Sequence, residues 1–399
     1  MTGDGVARLV DDFAAGVGVD PGILAVLALG LLVFLLVAVV TFIGYFRELF
    51  TIARFAYPVA RVKAIGNPFV RSDVLARVQE ARNTFDASAA VREAGAGIAI
   101  PDDATPEAID RILDEWYISE FVSLAGTVPE SIKPFFSAYL GVLETEQLVR
   151  AARMVHSRAG KGIDASRLIP VGCLTPDRVR NLDGISEMRE LAARLRGTPH
   201  EPVISAVLPA YEQERSLVRV ENALWKHALQ GLNHSRVNVD PTHLPAVAGF
   251  LGVYTDVVNI LTLLRARQQA LPADVVSGMF VPGGAVYEEW RLVQLYENRG
   301  AREIVTLMAG TEYYDVLSRA LPEAGEPDIS RLEVALDRFL LAKVIALSQV
   351  HHLKGGPLIM FAVARKYEAR NLRLIFHSLS EGVPVTEIGK WLVAEGASA

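Results

Sequence analysis

The stretch KYEARNLRLI, residues 366–375, decides how this chain folds. A carboxylate, Glu368, stands three residues before the amide Asn371, and an apolar run follows. DVVNILTLLR (256–265) repeats the phrase with Asp256, Asn259 and Ile260, and ETEQLVRAAR (144–153) with Glu144, Gln147 and Leu148. From Glu144 to Asp256 is 112 residues, and from Asp256 to Glu368 is 112 again. Pro245 and Pro357 keep the interval, and Pro134 is off by one. Between the first two copies the agreement extends to Arg153 with Arg265, Pro170 with Pro282, and Gly172 with Gly284. VISAVLP (203–209) answers VLSRALP (316–322). A second phrase recurs as IDRILDEW (109–116), VENALWKH (220–227) and LEVALDRF (332–339), with an acid second, Leu fifth and a ring last.

Common solenoid repeats run roughly 20–50 residues, so a unit this long is a small domain. Amphipathic helical spacing fills the chain beyond residue 46, strand alternation is lacking, and Pro- and Gly-bearing connectors such as AIGNPF and FVPGG are short. The fold class is therefore all-α. Two intact units span 134–244 and 245–356. A first domain, 47–133, holds only the later half of a unit and is completed by 357–399, which holds the earlier half. The spacing thus predicts pseudo-three-fold symmetry closed by the two ends of the chain.

Within the phrase, the proline suits a first helical turn, where its missing N–H costs nothing. Positions i and i+3 share a helix face, so each acid neighbours its amide. The amide can donate to the carboxylate or to a backbone carbonyl. Glu144, Gln147, Asp256, Asn259, Glu368 and Asn371 are read as buried polar clasps between helices. The functional alternative is that each clasp faces a partner.

Residues 23–46, ILAVLALGLLVFLLVAVVTFIGYF, carry no charge. At about 1.5 Å per residue the segment spans roughly 36 Å, enough to cross a bilayer. It is too long for a signal peptide, follows an acidic tail, and lacks a small-residue cleavage site. The expectation is an acidic outer tail (1–20), a transmembrane helix (21–46), and a cytoplasmic body. Asp4, Asp11, Asp12 and Asp20 against Arg8 precede the span, and Arg47, Arg54, Arg61 and Lys63 against Glu48 follow it, which places the N-terminus outside.

The 399 residues are 51% hydrophobic, ample for a core without staples. Net charge is −6, which disfavours a nucleic-acid partner. Cys173 is the single cysteine, which reads as excluding an intramolecular disulfide framework and a Cys-based zinc site. AGKGID (159–164) lacks phosphate-loop spacing, and His351 and His352 point apart on a helix without further ligands. Asn233-His234-Ser235 spells a glycosylation sequon that a cytoplasmic body leaves inert. Trp116, Trp225, Trp290 and Trp391 read as core or near-core anchors. No catalytic, cofactor-binding or metal-ligating residue is assigned, and no small-molecule substrate.

AYPVARVKAI (56–65), DVVNILTLLRARQQAL with FVPGG (256–284), GPLIMFAVARKYEARNLRLI (356–375) and the ending GVPVTEIGKWLV together resemble the C subunit of archaeal-type and bacterial V-type rotary ATPases, which corresponds to the d subunit of the eukaryotic V-ATPase. The resemblance covers roughly residues 54–395. It implies a funnel of three similar helical domains and a part that carries torque without catalysing a reaction. The implied partners are a rotor ring of proteolipid subunits on one face and central shaft subunits (D and F type) in the concave side. The membrane helix departs from the family, whose members are usually peripheral. A helix outside a turning ring would strike the stator, so residues 23–46 are expected in the ring lumen. The rival readings are a single-pass membrane scaffold of another complex and an enzyme on a helical frame.

Overall fold

A computed structural model describes residues 16, 18, 20–95, 97–157, 162–297, 300–323 and 325–396. The tail expected at 1–20 lies almost wholly outside them. The described residues are helical with no strands. Their single β-bridge joins Val171 and Leu174, closing a tight turn.

Among the described residues, seven helices reach 18 residues or more: α1 (Pro21–Ile65), α2 (Pro106–Ala125), α3 (Lys133–His156), α4 (Leu217–His234), α5 (Leu244–Gln268), α6 (Ile329–Val350) and α7 (Gly356–Ser380). Each of α3, α5 and α7 carries a proline in its first turn, as the sequence predicts, and α2 does so too. Thr105 caps α2 by accepting from Ala108 N at 3.3 Å, and Asp328 caps α6 by accepting from Ser330 N at 2.9 Å.

The chain divides into two compact units, residues 1–56 and 57–399. In the first, the uncharged stretch of α1 up to Phe46 is mostly exposed, with Leu27, Leu32 and Phe34 typical, whereas Phe55 further along is buried. α1 is long and apolar enough to cross a membrane. The helix runs unbroken past residue 46, the expected end of the span, to Ile65. Nothing in TFIGYFRELFTIARFAYPVARVKAI stops it earlier: Gly66, at φ +66°, is the first residue to leave helical geometry.

In the second unit, α3, α5 and α7 are buried on nearly every face. The α5 segment is also apolar enough to span a membrane, but most of it lies inside the protein, as a core helix does. Each of these three packs against a helix of the second recurrent phrase: α3 on α4, α5 on α6, and α7 on both α6 and α2. The last pairing joins residues from opposite ends of the chain. Phe135, Phe136, Tyr139, Phe250 and Tyr254 form a ring stack where α3 meets α5, with Phe135 edge-on to Phe250 at 5.8 Å.

Trp290 overturns one expectation: it is 62% exposed. Its short helix, Glu289–Tyr296, buries Leu292, Leu295 and Tyr296, and a residue two places before Leu292 lies on the opposite face. Trp116 is in the core, while Trp225 and Trp391 are half-buried.

Candidate functional site

The recurrent acids and amides come to rest in the middle of α3, α5 and α7. All six side chains are buried. The amides bind backbone, each at a segment 22 residues further along. Gln147 Oε1 accepts from Ile169 N at 3.0 Å. Asn259 Oδ1 accepts from Val281 N at 2.9 Å, while its Nδ2 donates to Val281 O at 2.8 Å. Asn371 Oδ1 accepts from Val393 N at 2.9 Å, and its Nδ2 donates to Val393 O at 2.7 Å and to Phe69 O at 2.9 Å. Ile169, Val281 and Val393 are themselves 112 residues apart.

Glu144 and Asp256 collect donors from segments that follow them, Glu368 from Asn67 and Phe69 far earlier in the chain. Glu144 Oε1 accepts from Cys173 N at 2.7 Å, and its Oε2 accepts from Cys173 Sγ at 3.0 Å. His200 Nε2 lies 2.8 Å from the same Oε2. Asp256 accepts from Val286 N at 2.8 Å, Tyr287 N at 3.1 Å and the Tyr313 hydroxyl at 3.0 Å. Glu368 accepts from Phe69 N at 2.8 Å and Asn67 Nδ2 at 2.9 Å, and pairs with Arg365 Nη1 at 2.9 Å.

The close approach fixes two glycines. A Cβ at Gly172, which has φ +56°, would lie 1.6 Å from Glu144 Oε1; one at Gly284 would lie 2.1 Å from Asp256 Oδ1. Only the residue without a side chain fits there.

The three carboxyls differ in their electrostatics. Burial disfavours ionised Glu144, but the bonds from His200 and Cys173 outweigh it and hold the group below its ordinary range. Burial prevails at Asp256 over the bonds from Tyr287, Val286 and Tyr313, so its pKa is raised. At Glu368 burial also prevails, and the pKa is pushed up to about 7 despite the Arg365 charge and the Asn67 bond. Arg365 is correspondingly lowered by burial, and its guanidinium lies over the rings of Trp116 at 4.5 Å and Phe361 at 4.6 Å.

The acid of the second phrase recurs in contacts too. Arg153 pairs with Glu221 at 2.7 Å, Arg265 with Glu333 at 2.6 Å, and His377 with Asp110 at 2.9 Å. The aromatic slot repeats as well. Trp116 stands edge-on to Phe69, His227 to His200, and Phe339 to Tyr313. A cavity of about 410 Å³ opens beside these helices, with Arg153, Tyr254, Asp337, Lys366 and Arg370 among its lining residues.

Three features of these clasps escape sequence reasoning. Cys173 stands alone in the sequence; the structure sets it on Glu144 beside His200. A signal for this exists, since Gly172 and Gly284 are in register and VISAVLP and VLSRALP fix His200 opposite Tyr313. Asn67 and Phe69 lie outside every recurrent phrase. Asn233 of the sequon is buried, donating to Leu229 O at 3.2 Å and to Thr255 Oγ1 at 2.9 Å.

Residues 58–390 match the ATP synthase (C/AC39) subunit family. The chain belongs to that family. It is similar to the C subunit of the A-type ATP synthase of Methanothermobacter thermautotrophicus, 25% identical over 370 residues, which cover 90% of this chain and 92% of that protein. The C subunit from Thermococcus onnurineus is likewise 25% identical, over 92% of this chain and 98% of its own length. That of Methanobrevibacter smithii is 28% identical over 57% of this chain and 59% of its own length. The chain is thus a member of a rotary ATPase subunit family, as the resemblance of its motifs implies.

Proposed function

We propose that this protein is the central-stalk connector of an archaeal-type rotary ATPase, seated between the membrane rotor ring and the shaft. It performs no catalysis. It carries torque between ion flow at the ring of proteolipid subunits and the nucleotide-binding head, through shaft subunits of the D and F type. The observation that carries the reading is the family match over 58–390, nearly all of the second compact unit.

In this reading the body consists of three helical domains: 47–133 completed by 357–399, 134–244, and 245–356. Two sets of contacts support the closure. Asn371 and Glu368 bind Asn67 and Phe69, and Glu395 N donates to Val70 O at 2.7 Å. The clasps act structurally, each pinning the loop beyond its helix. The domains surround a central hollow, for which the 410 Å³ cavity is the candidate mouth. A packed helical body suits the task because protein interiors compress little under load.

The apolar part of α1 is assigned to the bilayer with the N-terminus outside and the body cytoplasmic, on the charge asymmetry of its flanks. Its place is the lumen of the ring. Crosslinking from Leu35 tests that placement: lumen-facing ring positions are the expected products, and adducts only to the outer wall rule it out.

Purification from native membranes followed by mass spectrometry tests the function. Proteolipid ring and shaft subunits are expected to copurify. Recovery with an unrelated set of proteins would instead support the alternative, a single-pass membrane-anchored helical scaffold of another complex.

A further inference from the structure

The three clasps are built on one plan, so the chain supplies its own controls. Around Asp256 the positions beyond the acid are Ala285, Tyr313 and Phe339. In register with them around Glu144 stand Cys173, His200 and His227. At each place the Glu144 clasp has a metal-ligating type where the Asp256 clasp has an apolar or phenolic residue. We propose that Glu144, Cys173 and His200 form a binding site for a zinc-class divalent cation, present in this clasp and not in the other two.

The geometry supports it. One ligand atom from each of the three side chains lies within 4.8 Å of the other two, and two ligands of one tetrahedral zinc ion stand roughly 3.5 Å apart. The set of thiolate, imidazole and carboxylate suits zinc and cobalt(II) and is too soft for magnesium or calcium. His227, whose ring centroid is 6.0 Å from that of His200, is a candidate fourth ligand; water otherwise completes the tetrahedron.

Hydrogen bonding alone does not account for the residue choice. Tyr313 makes the equivalent bond to Asp256 with its single hydroxyl. His200 makes its bond with Nε2 and leaves Nδ1 buried without a partner, a costlier way to satisfy a carboxylate. Without metal the thiol keeps its proton, its pKa pushed up to about 12 by burial and by Glu144. On binding, that proton leaves for solvent and Cys173 ligates as the thiolate. This departs from the expectation that the protein has no metal ligands.

Titration of the full-length protein in detergent with cobalt(II) tests the site. The expected result is one equivalent bound, with a thiolate-to-cobalt charge-transfer absorption and tetrahedral d–d bands. Cys173→Ala, the residue the chain itself uses at Ala285, is expected to abolish the charge-transfer band. His200→Tyr, the residue used at Tyr313, is expected to weaken binding at least tenfold. Because Cys173 is the sole thiol, alkylation of the unmodified protein gives a reading that needs no variant. Zinc is expected to slow that alkylation at least tenfold, and excess chelator to restore it. Absence of the charge-transfer band, or an alkylation rate unchanged by zinc, overturns the proposal.

Discussion

Replacing each clasp amide by leucine, which has a similar volume and no polar atoms, isolates the backbone groups that the amide serves. Gln147→Leu leaves Ile169 N unpaired. Asn259→Leu strands both the N–H and the carbonyl of Val281. Asn371→Leu strands the same two groups of Val393 together with the carbonyl of Phe69. Every one of these residues is buried. At about 2 kcal/mol per stranded group, near the middle of the usual range, the costs step through about 2, 4 and 6 kcal/mol. At about 2 °C per kcal/mol for a large body, melting falls by about 4, 8 and 12 °C. Thermal melts of the full-length chain in detergent, followed by tryptophan fluorescence, read the order. Amide exchange locates the damage: Ile169, Val281 and Val393 N–H should each speed up in their own variant. Only Asn371→Leu should loosen residues near both ends of the body. Equal costs across the series, or Asn371→Leu as the mildest, would refute the reasoning.

Titration separates two equivalent acids by sign. Glu144 has a folded pKa below its ordinary 4.5, so its stabilisation is complete above that value and is lost as pH falls through the folded one. The stability gap between wild type and Glu144→Gln should therefore narrow on acidification below about pH 4.5. Asp256 is raised above 3.8, so protonation favours its folded state, and the gap to Asp256→Asn should widen as pH falls toward 3.8. Gly172→Ala pushes the Glu144 carboxylate away and should cost on the order of 3 kcal/mol, the worth of one or two bonds to a charged group; a melt within 1 °C of wild type, well inside the shift such a loss produces, would contradict the close approach. Arg153→Ala removes an ion pair whose arginine side chain is 63% exposed, and denaturation should register less than about 1 kcal/mol.

Much of this arrangement is readable in the chain. The phrase at 366–375 and its two echoes locate all six buried acids and amides of α3, α5 and α7, because a recurrent sequence pattern repeats the few polar groups that the buried helices must satisfy. The all-α class and the prolines in the first turns of α3, α5 and α7 follow from the same periodicities. What the phrases cannot supply is the far side of each bond. The amides reach a constant 22 residues ahead, but the acids gather donors 29–57 residues on, or some 300 residues back at Asn67 and Phe69. Those distances are set by how loops return to the helix. Trp290 shows a related blindness: a large ring on a two-turn helix reads as an anchor until its neighbours claim the buried face.

The bonds from Glu368 to Asn67 and Phe69 also govern when the protein can finish folding. The partners are separated by 301 and 299 residues. Translation at about 5–20 residues per second puts roughly 15–60 s between them. The middle segments can settle on the ribosome, while the earliest part waits, its apolar surface uncovered, for the last residues to emerge. A ribosome stalled shortly before residue 368 would hold a protein whose oldest stretch is its least finished, the natural client of a chaperone.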